Sequence, residues 1–452
     1  MLTDGIRFLS KNVAYHFSRN LELYSVWRRR LHQAHIFGRV KGKLRTMKID
    51  TPEFRGLFTP ELNKLIDLFK KHDYELRIAG GAVRDLLMGK QPHDVDFATT
   101  ATPNQMKEMF ELEGIRTINN KGESHGTITA RINDKENFEV TTLRIDVRTD
   151  GRHAEVQFTK DWELDANRRD LTINAMYLGL DGTLYDYFQG QEDLLERKVR
   201  FVGDPASRIQ EDYIRILRYF RFYGRIAKTP NDHEEKTLHA IQENGAGLAG
   251  ISGERIWLEF KKIVCGNFAG NLIKIMHDVG ITQYIGLPEK PNVEEFEEVY
   301  NRAHHLDPQP MTYMSALLSK EEEVYQLNKR LKVSNDELKL GAFILQYRGV
   351  SMGDNPIRHC QHLFIDNPGK DVKVRALVTE LVKYLGDQEL VREFSQWSPP
   401  PFPVSGYDLV GLGVRKGPRF AKLIHELRQL WKQSDFKMTK EELLEHVDDI
   451  LK

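Results

Sequence analysis

Asp94 and Asp96, one residue apart in His93-Asp94-Val95-Asp96-Phe97, are the side chains here best placed to do chemistry. On a strand, that spacing sets both carboxylates on one face while Val95 and Phe97 point into the core. Two neighbouring carboxylates repel unless a cation lies between them, and a hard, oxygen-binding ion such as Mg²⁺ suits them. Just ahead runs Ile78-Ala-Gly-Gly-Ala-Val-Arg-Asp85. Gly80 and Gly81 permit a tight turn whose backbone N–H groups can face a phosphate. Ala82 to Leu87 read as the first turns of a helix whose N-terminus points at the same anion, and Arg84 adds a fixed positive charge. Alone, Asp-x-Asp is commonly a turn or a helix cap, and Gly-Gly is commonly just a turn. Together, on a strand–loop–helix–strand pattern, they point to phosphoryl or nucleotidyl transfer by two metal ions.

The surrounding pattern supplies elements to hold them. Leu62, Leu65, Ile66 and Phe69 recur at helical spacing between Pro60 and Lys71. Thr102 reads as the N-cap of a helix through Phe110, with Pro103 at its first position. Gly126 to Ile132 alternates as a strand, and so does Phe138 to Thr142, with Glu139 opposite Phe138 and Val140. Glu139 is either a third carboxylate at the metal site or a cross-strand salt-bridge partner. The polar stretch from Arg148 to His153, with Asp150, Gly151 and Arg152 at its centre, carries a mobile-loop signal. Asp181-Gly182 marks a hairpin between 172–180 and 183–187. Residues 48–190 therefore read as one α/β or α+β domain.

Beyond Arg200 the pattern is helical. A long helix is expected over Arg208 to Ile226, with Ile209, Tyr213, Ile216, Leu217, Phe220 and Tyr223 on one arc. Asp212, Arg215, Arg218 and Arg221 sweep the remaining arc, either as a solvated basic face or as a compact recognition set. Ile251 to Arg255 looks like a capped helix start. Residues 264–395 give amphipathic helices with few chemical signals. Gln396 to Pro403 is a rigid break. Gly411 to Pro418 then opens a further helix, where Arg415, Lys416 and Arg419 with backbone amides either hold a nucleic-acid phosphate or form an ordinary turn.

The 452 residues allow two to four domains. A formal net charge of zero leaves any nucleic-acid contact to local patches. The two cysteines, Cys265 and Cys360, exclude a disulfide framework or zinc finger and fit a reducing compartment. No apolar run approaches a membrane span. Residues 1–46 are basic, amphipathic and acid-poor, like a mitochondrial presequence. The alternative is a basic RNA-binding arm. Composition becomes ordinary at Met47, so a second start there is expected to give a cytoplasmic or nuclear form. His72-Asp73 and His277-Asp278 lack the further histidines of a metal phosphohydrolase and read as structural.

Four ordered segments now bear comparison with a known family: Gly80 to Asp85 with Asp94-Val-Asp96; Arg168-Arg-Asp170-Leu-Thr-Ile-Asn174-Ala; Glu211-Asp212-Tyr-Ile-Arg215-Ile-Leu-Arg218-Tyr-Phe-Arg221-Phe; and Ile251-Ser-Gly-Glu-Arg255. Together they resemble the motifs of CCA-adding tRNA nucleotidyltransferases, in the class shared by bacteria and eukaryotes, its animal mitochondrial members in particular. The resemblance implies an α+β fold: a polymerase-β-like nucleotidyltransferase head with a mixed or antiparallel sheet (48–190), then an all-α neck (191–263), body (264–395) and tail (396–452). It implies that Asp94 and Asp96 hold Mg²⁺, and that Gly80, Gly81, Arg84, Arg169, Asp170, Asp212, Arg215, Arg218 and Arg221 line the nucleotide site. The loop with Asp150, Gly151 and Arg152 matches a segment linked to the switch from C to A addition. The tail, with Arg415, Lys416 and Arg419, is expected to contact tRNA. Partners implied are tRNA, CTP and ATP, in a monomer or homodimer.

Base choice without a template has a simple chemical reading. Cytosine presents N4–H₂ beside an N3 acceptor, and adenine presents N6–H₂ beside N1. A carboxylate facing the amine and a guanidinium facing the ring nitrogen fit both, and Asp212 with Arg215 is expected to supply that pair one helical turn apart. Uracil and guanine would set a carbonyl against the carboxylate. Two other outputs compete: a poly(A) polymerase, and a non-enzymatic RNA-binding protein on a dead head.

Overall fold

Thr59 caps the first long helix, α1 (Pro60–Lys71), accepting the Leu62 N–H, and Pro60 sits where a missing N–H costs nothing. Leu62, Leu65, Ile66 and Phe69 are buried on one stripe, as the periodicity requires. The structure is a computed structural model and describes residues 47–118, 120–149, 154–367, 370–415 and 417–451. The N-terminal extension, the loop residues Asp150, Gly151 and Arg152, and Lys416 lie outside the described residues.

Nine strands follow in chain order among the described residues: β1 (Leu76–Ala79), β2 (Phe97–Thr99), β3 (Arg116–Ile118), β4 (Thr127–Ile132), β5 (Glu136–Thr142), β6 (Arg144–Thr149), β7 (Ala154–Phe158), β8 (Tyr177–Gly179) and β9 (Leu184–Tyr185). Seven form one sheet in the order β3-β4-β5-β2-β1-β8-β9, while β6 and β7 form a separate hairpin. Among the described residues only β2 and β5 pair in parallel, so the seven-stranded sheet is mixed. Ile78, Phe97 and Val140 occupy adjacent register positions and enter one core with α1, α2 (Gly81–Leu87) and α3 (Pro103–Leu112). Thr102 and Gln105 close a capping box on α3, matching the expected helix start. The Asp181-Gly182 turn is present, but its strands are shorter than expected, and residues 172–174 form a 3₁₀ turn instead. Gly182 needs its positive φ of 83°, and a Cβ there would stand 2.2 Å from the Ile49 carbonyl.

The described residues fall into two compact units. One takes the chain to Leu143 with Thr159–Ala166 and Asn174–Gln191; the other takes Arg144–Phe158, Asn167–Ile173 and everything from Glu192. The β6–β7 hairpin thus groups with the helices. In this second unit the expected helix over Arg208 to Ile226 is two helices, α4 (Pro205–Glu211) and α5 (Arg215–Ile226). Asp212 is extended, with φ −157° and ψ 105°. Its carboxylate reaches the Ile214 N–H at 3.4 Å, the local side-chain competition by which Asp interrupts helices. Tyr213 leaves the expected arc and packs over Gly247, where a Cβ would clash with its ring at 2.1 Å. Farther on come α6 (Glu235–Asn244), α7 (Gly253–Val264) and, after the proline break, α8 (Pro418–Gln433). The last closes its own core with Leu409, Leu423, Leu427 and Trp431. No helix among the described residues is long and apolar enough to cross a membrane.

Candidate active site

In the first unit, β1 ends at Ala79 and the chain turns at Gly80, whose φ of 64° and ψ of −118° suit glycine rather than any residue with a side chain. Gly81 begins α2 with its amide end open, since no side chain caps it. Arg84, expected to add a fixed positive charge here, is buried, only 4% exposed. Its Nε donates to Asp85 Oδ1 at 3.0 Å and its Nη1 donates to Asn174 Oδ1. A Cβ on Gly81 would stand 3.6 Å from Arg84 Nη2, so the guanidinium lies close under the loop backbone. Arg84 therefore stiffens and charges the loop from beneath.

Asp94 and Asp96 are not on a strand as expected, because β2 begins at Phe97. They occupy the stretch just before it, both exposed, with Phe97 buried and Val95 packed against the core. The alternation survives because the Asp96 carbonyl accepts the Ala79 N–H at 2.9 Å, extending the β1–β2 ladder by one residue. That bond sets Asp96 beside the Gly80 turn. The parallel register Phe97↔Val140 puts Glu139 next to Asp96 on the exposed face. Yet no three His, Cys, Asp or Glu side chains gather closely enough among the described residues to hold a metal. The protein donors are two hard carboxylates, and no hydrogen bond or ion pair engages Asp94 among the described residues. Such a pair fits Mg²⁺, which is commonly held by one or two carboxylates with substrate phosphates and water completing its shell.

In the second unit, Arg215 is buried and clamped. Nη1 donates to Glu211 Oε2 at 2.7 Å and to the Arg208 carbonyl at 3.1 Å, and Nη2 donates to the Arg168 carbonyl at 2.9 Å. Glu211 also holds Arg208 at 2.7 Å. Asp212 is held from elsewhere: Arg255 Nη2 donates to its Oδ2 at 2.7 Å. Asp212 and Arg215 are thus not a pair on one helix, but two groups fixed separately on either side of a helix break. Arg218 pairs with Asp170 through Nε, and Arg221 pairs with Glu259 at 3.1 Å. Arg169 is half-buried. Arg415 and Arg419 are exposed at the start of α8.

Sequence reading missed the holders: Asn174, Glu211, Arg255 and Glu259. Glu211 had a signal, lying three residues after Arg208 and four before Arg215 on helical spacing. The others act across tertiary distance, which no local pattern records.

Burial alone would push the Asp170 carboxyl up. The Arg218 charge and hydrogen bond, the Leu171 N–H and the Arg215 charge outweigh it and hold the group below the usual carboxylate range. A depressed folded value adds stability above the unfolded value of about 3.9, and that stability is lost as pH falls through the folded value. Asp170→Asn is expected to lower the unfolding free energy at pH 7 by roughly 2 kcal/mol, less than for a fully buried pair because Arg218 is partly exposed. The gap to the parent protein should narrow below about pH 4. Urea unfolding of both proteins across this range checks it; a gap independent of pH would remove the ion pair from the account.

Residues 76–200 match the poly A polymerase head domain family, and residues 233–290 match the family described as the probable RNA and SrmB-binding site of polymerase A. The chain is 56% identical over 403 residues to the mitochondrial CCA tRNA nucleotidyltransferase 1 of Danio rerio, covering 89% of this chain and 93% of that protein. It is 54% identical over 411 residues to the protein of the same name from Homo sapiens, covering 90% and 94%. Among solved structures, the Bacillus stearothermophilus CCA-adding enzyme in complex with CTP superposes with a TM-score of 0.67 at 25% identity, covering 88% of this chain and 98% of that one. The mixed-sheet first unit is a polymerase-β-like head, and helical regions follow it. An enzyme of the nucleotidyltransferase type, this chain belongs to the CCA tRNA nucleotidyltransferase family.

Proposed function

We propose that this chain adds C, C and A to the 3′ end of tRNA from CTP and ATP without a template, releasing pyrophosphate. The observation that carries the chemistry is the Ala79–Asp96 ladder bond, which fixes the Asp96 backbone beside the Gly80 turn, with Asp94 two residues before it. Triphosphate handling falls to the first unit: the Gly80–Gly81 amides receive phosphate oxygens, and buried Arg84 supplies positive charge behind them. Mg²⁺ held by Asp94 and Asp96 would supply the Lewis acid that activates the tRNA 3′-hydroxyl and stabilises the leaving pyrophosphate. Glu139 is read as a neighbour that adds negative field, or a third oxygen once a nucleotide is bound.

Base selection falls to the second unit. Asp212 Oδ1, which takes a long N–H contact from Ile214, accepts the exocyclic amine of cytosine or adenine. Arg215 has Nε–H and one Nη2 hydrogen beyond its three protein bonds, and these are left to donate to the ring nitrogen. A carbonyl in place of the amine meets a carboxylate lone pair, which costs roughly 1–3 kcal/mol and rejects UTP and GTP. Arg169, Arg218 and Arg221 complete the positive surround, with Asp170 holding Arg218 in place. Arg415, Lys416 and Arg419 in the tail (396–452) contact tRNA phosphates, after a neck over 191–263 and a body over 264–395. The loop with Asp150, Gly151 and Arg152 acts in the switch from C to A.

The relatives' mitochondrial names and the basic residues 1–46 support import into mitochondria, with a shorter form starting at Met47. N-terminal sequencing of organellar and cytosolic protein is expected to give two different starts; a single shared start upstream of Met47 sinks the two-form reading.

The match to the poly A polymerase head keeps a second reading alive, in which many A residues are added. Incubation with a tRNA lacking its 3′ end, all four nucleotides and Mg²⁺ separates them on a gel. Three added nucleotides support CCA addition, and an A ladder supports the alternative. In the same assay Asp94→Ala is expected to lose at least a thousandfold in rate, about 4 kcal/mol of barrier, while tRNA binding stays within about twofold. Retained turnover would refute the metal assignment.

A further inference from the structure

Asp212 stands where the backbone gives it little support. It is extended, between two helices, and its contact to the Ile214 N–H is long. One strong bond sets its side chain, the 2.7 Å hydrogen bond from Arg255. Arg255 and Glu259 lie four residues apart on α7, hence on one face, and α7 packs along α5. Glu259 in turn meets Arg221 at 3.1 Å and Arg218 at 3.9 Å. One face of one helix therefore holds three of the groups assigned to the nucleotide.

That helix is itself a fixed post. A Cβ on Gly253 would stand 2.0 Å from the Arg330 carbonyl, so the start of α7 is pressed against backbone. Trp257 Nε1 donates to Glu337 at 2.9 Å. Ile256, Phe260, Ile263 and Val264 are almost fully buried. An exposed arginine on a loose element could not aim a carboxylate; one on an anchored helix can.

We propose that Arg255 is a positioning residue for base selection: by occupying Asp212 Oδ2, it aims Oδ1 at the exocyclic amine of the incoming base. The inference rests on the reading of Asp212 as the amine acceptor. It gives Arg255 a task different from stability, because the pair is partly exposed, with side chains 33% and 24% accessible, and pairs of that kind add little to folding.

The test uses full-length Arg255→Met, Arg255→Lys, Asp212→Ala and the Arg255→Met/Asp212→Ala double variant. Each is given tRNA lacking its 3′ end, and kcat and KM are measured for CTP, ATP, UTP and GTP, with thermal unfolding alongside. Arg255→Met is expected to lower the CTP-over-UTP ratio of kcat/KM by roughly tenfold or more. Its Tm should stay within a few degrees of the parent, Lys should restore part of the ratio, and the double variant should be no worse than Asp212→Ala. If Asp212→Ala discriminates while Arg255→Met does not, or if both discriminate normally, the Asp212 reading fails. If Asp212→Ala loses discrimination while Arg255→Met keeps it, the inference about Arg255 alone is overturned. Should Arg255→Met not fold, Arg255→Lys carries the test: an unchanged ratio with it also overturns the inference.

Discussion

A guanidinium with three of its five hydrogens given to fixed oxygens cannot swing to follow a ligand, and the second unit depends on that constraint at Arg215. Glu211 and the carbonyls of Arg208 and Arg168 hold it on three sides in a buried position. Burying such a charge is costly unless it is paired and fully hydrogen-bonded, and here it is paired. The result is a rigid donor. The proposed selection without a template strand needs one, because a donor that relaxes to fit any base rejects none. The neighbouring acceptor, Asp212, is rigid for a different reason. It is held by a guanidinium from an anchored helix, and its own backbone has left the helix.

The first unit applies the same logic to its carboxylates through the sheet. Buried Phe97 and Val140 fix the register, and a one-residue slip would turn Asp96 and Glu139 into the core. The packing of those core residues therefore keeps the carboxylates on the exposed face. Arg84 is buried rather than offered to solvent, so its charge supports the glycine turn without a long side chain that would lose entropy on binding phosphate.

Much of this was legible in the residues. The period of α1, the capping box of α3, the Gly80 turn and the alternation around Asp96 and Glu139 all follow from local rules, and the structure keeps them. Local rules misled where a side chain competed with them. Helical periodicity ran unbroken through Asp212, but its carboxylate bonds Ile214 and Arg255 instead of leaving the backbone to the helix. Likewise the charge of Arg84 could be read, but not its burial, because Asn174 lies ninety residues away. Arg255 and Glu259 belong to the same class: what they hold is fixed only by how α7 packs on α5.

The most direct measurement of the central claim is a cycle between Asp212 and the amine it is held to read. CTP is compared with the triphosphate of pyrimidin-2-one riboside, which lacks the 4-amine, in the parent protein and in Asp212→Ala. Loss of the amine is expected to cost the parent roughly tenfold or more in kcat/KM and to cost Asp212→Ala almost nothing, a coupling of about 1–3 kcal/mol. Equal losses in both proteins would contradict it, and would place the reading of the base elsewhere.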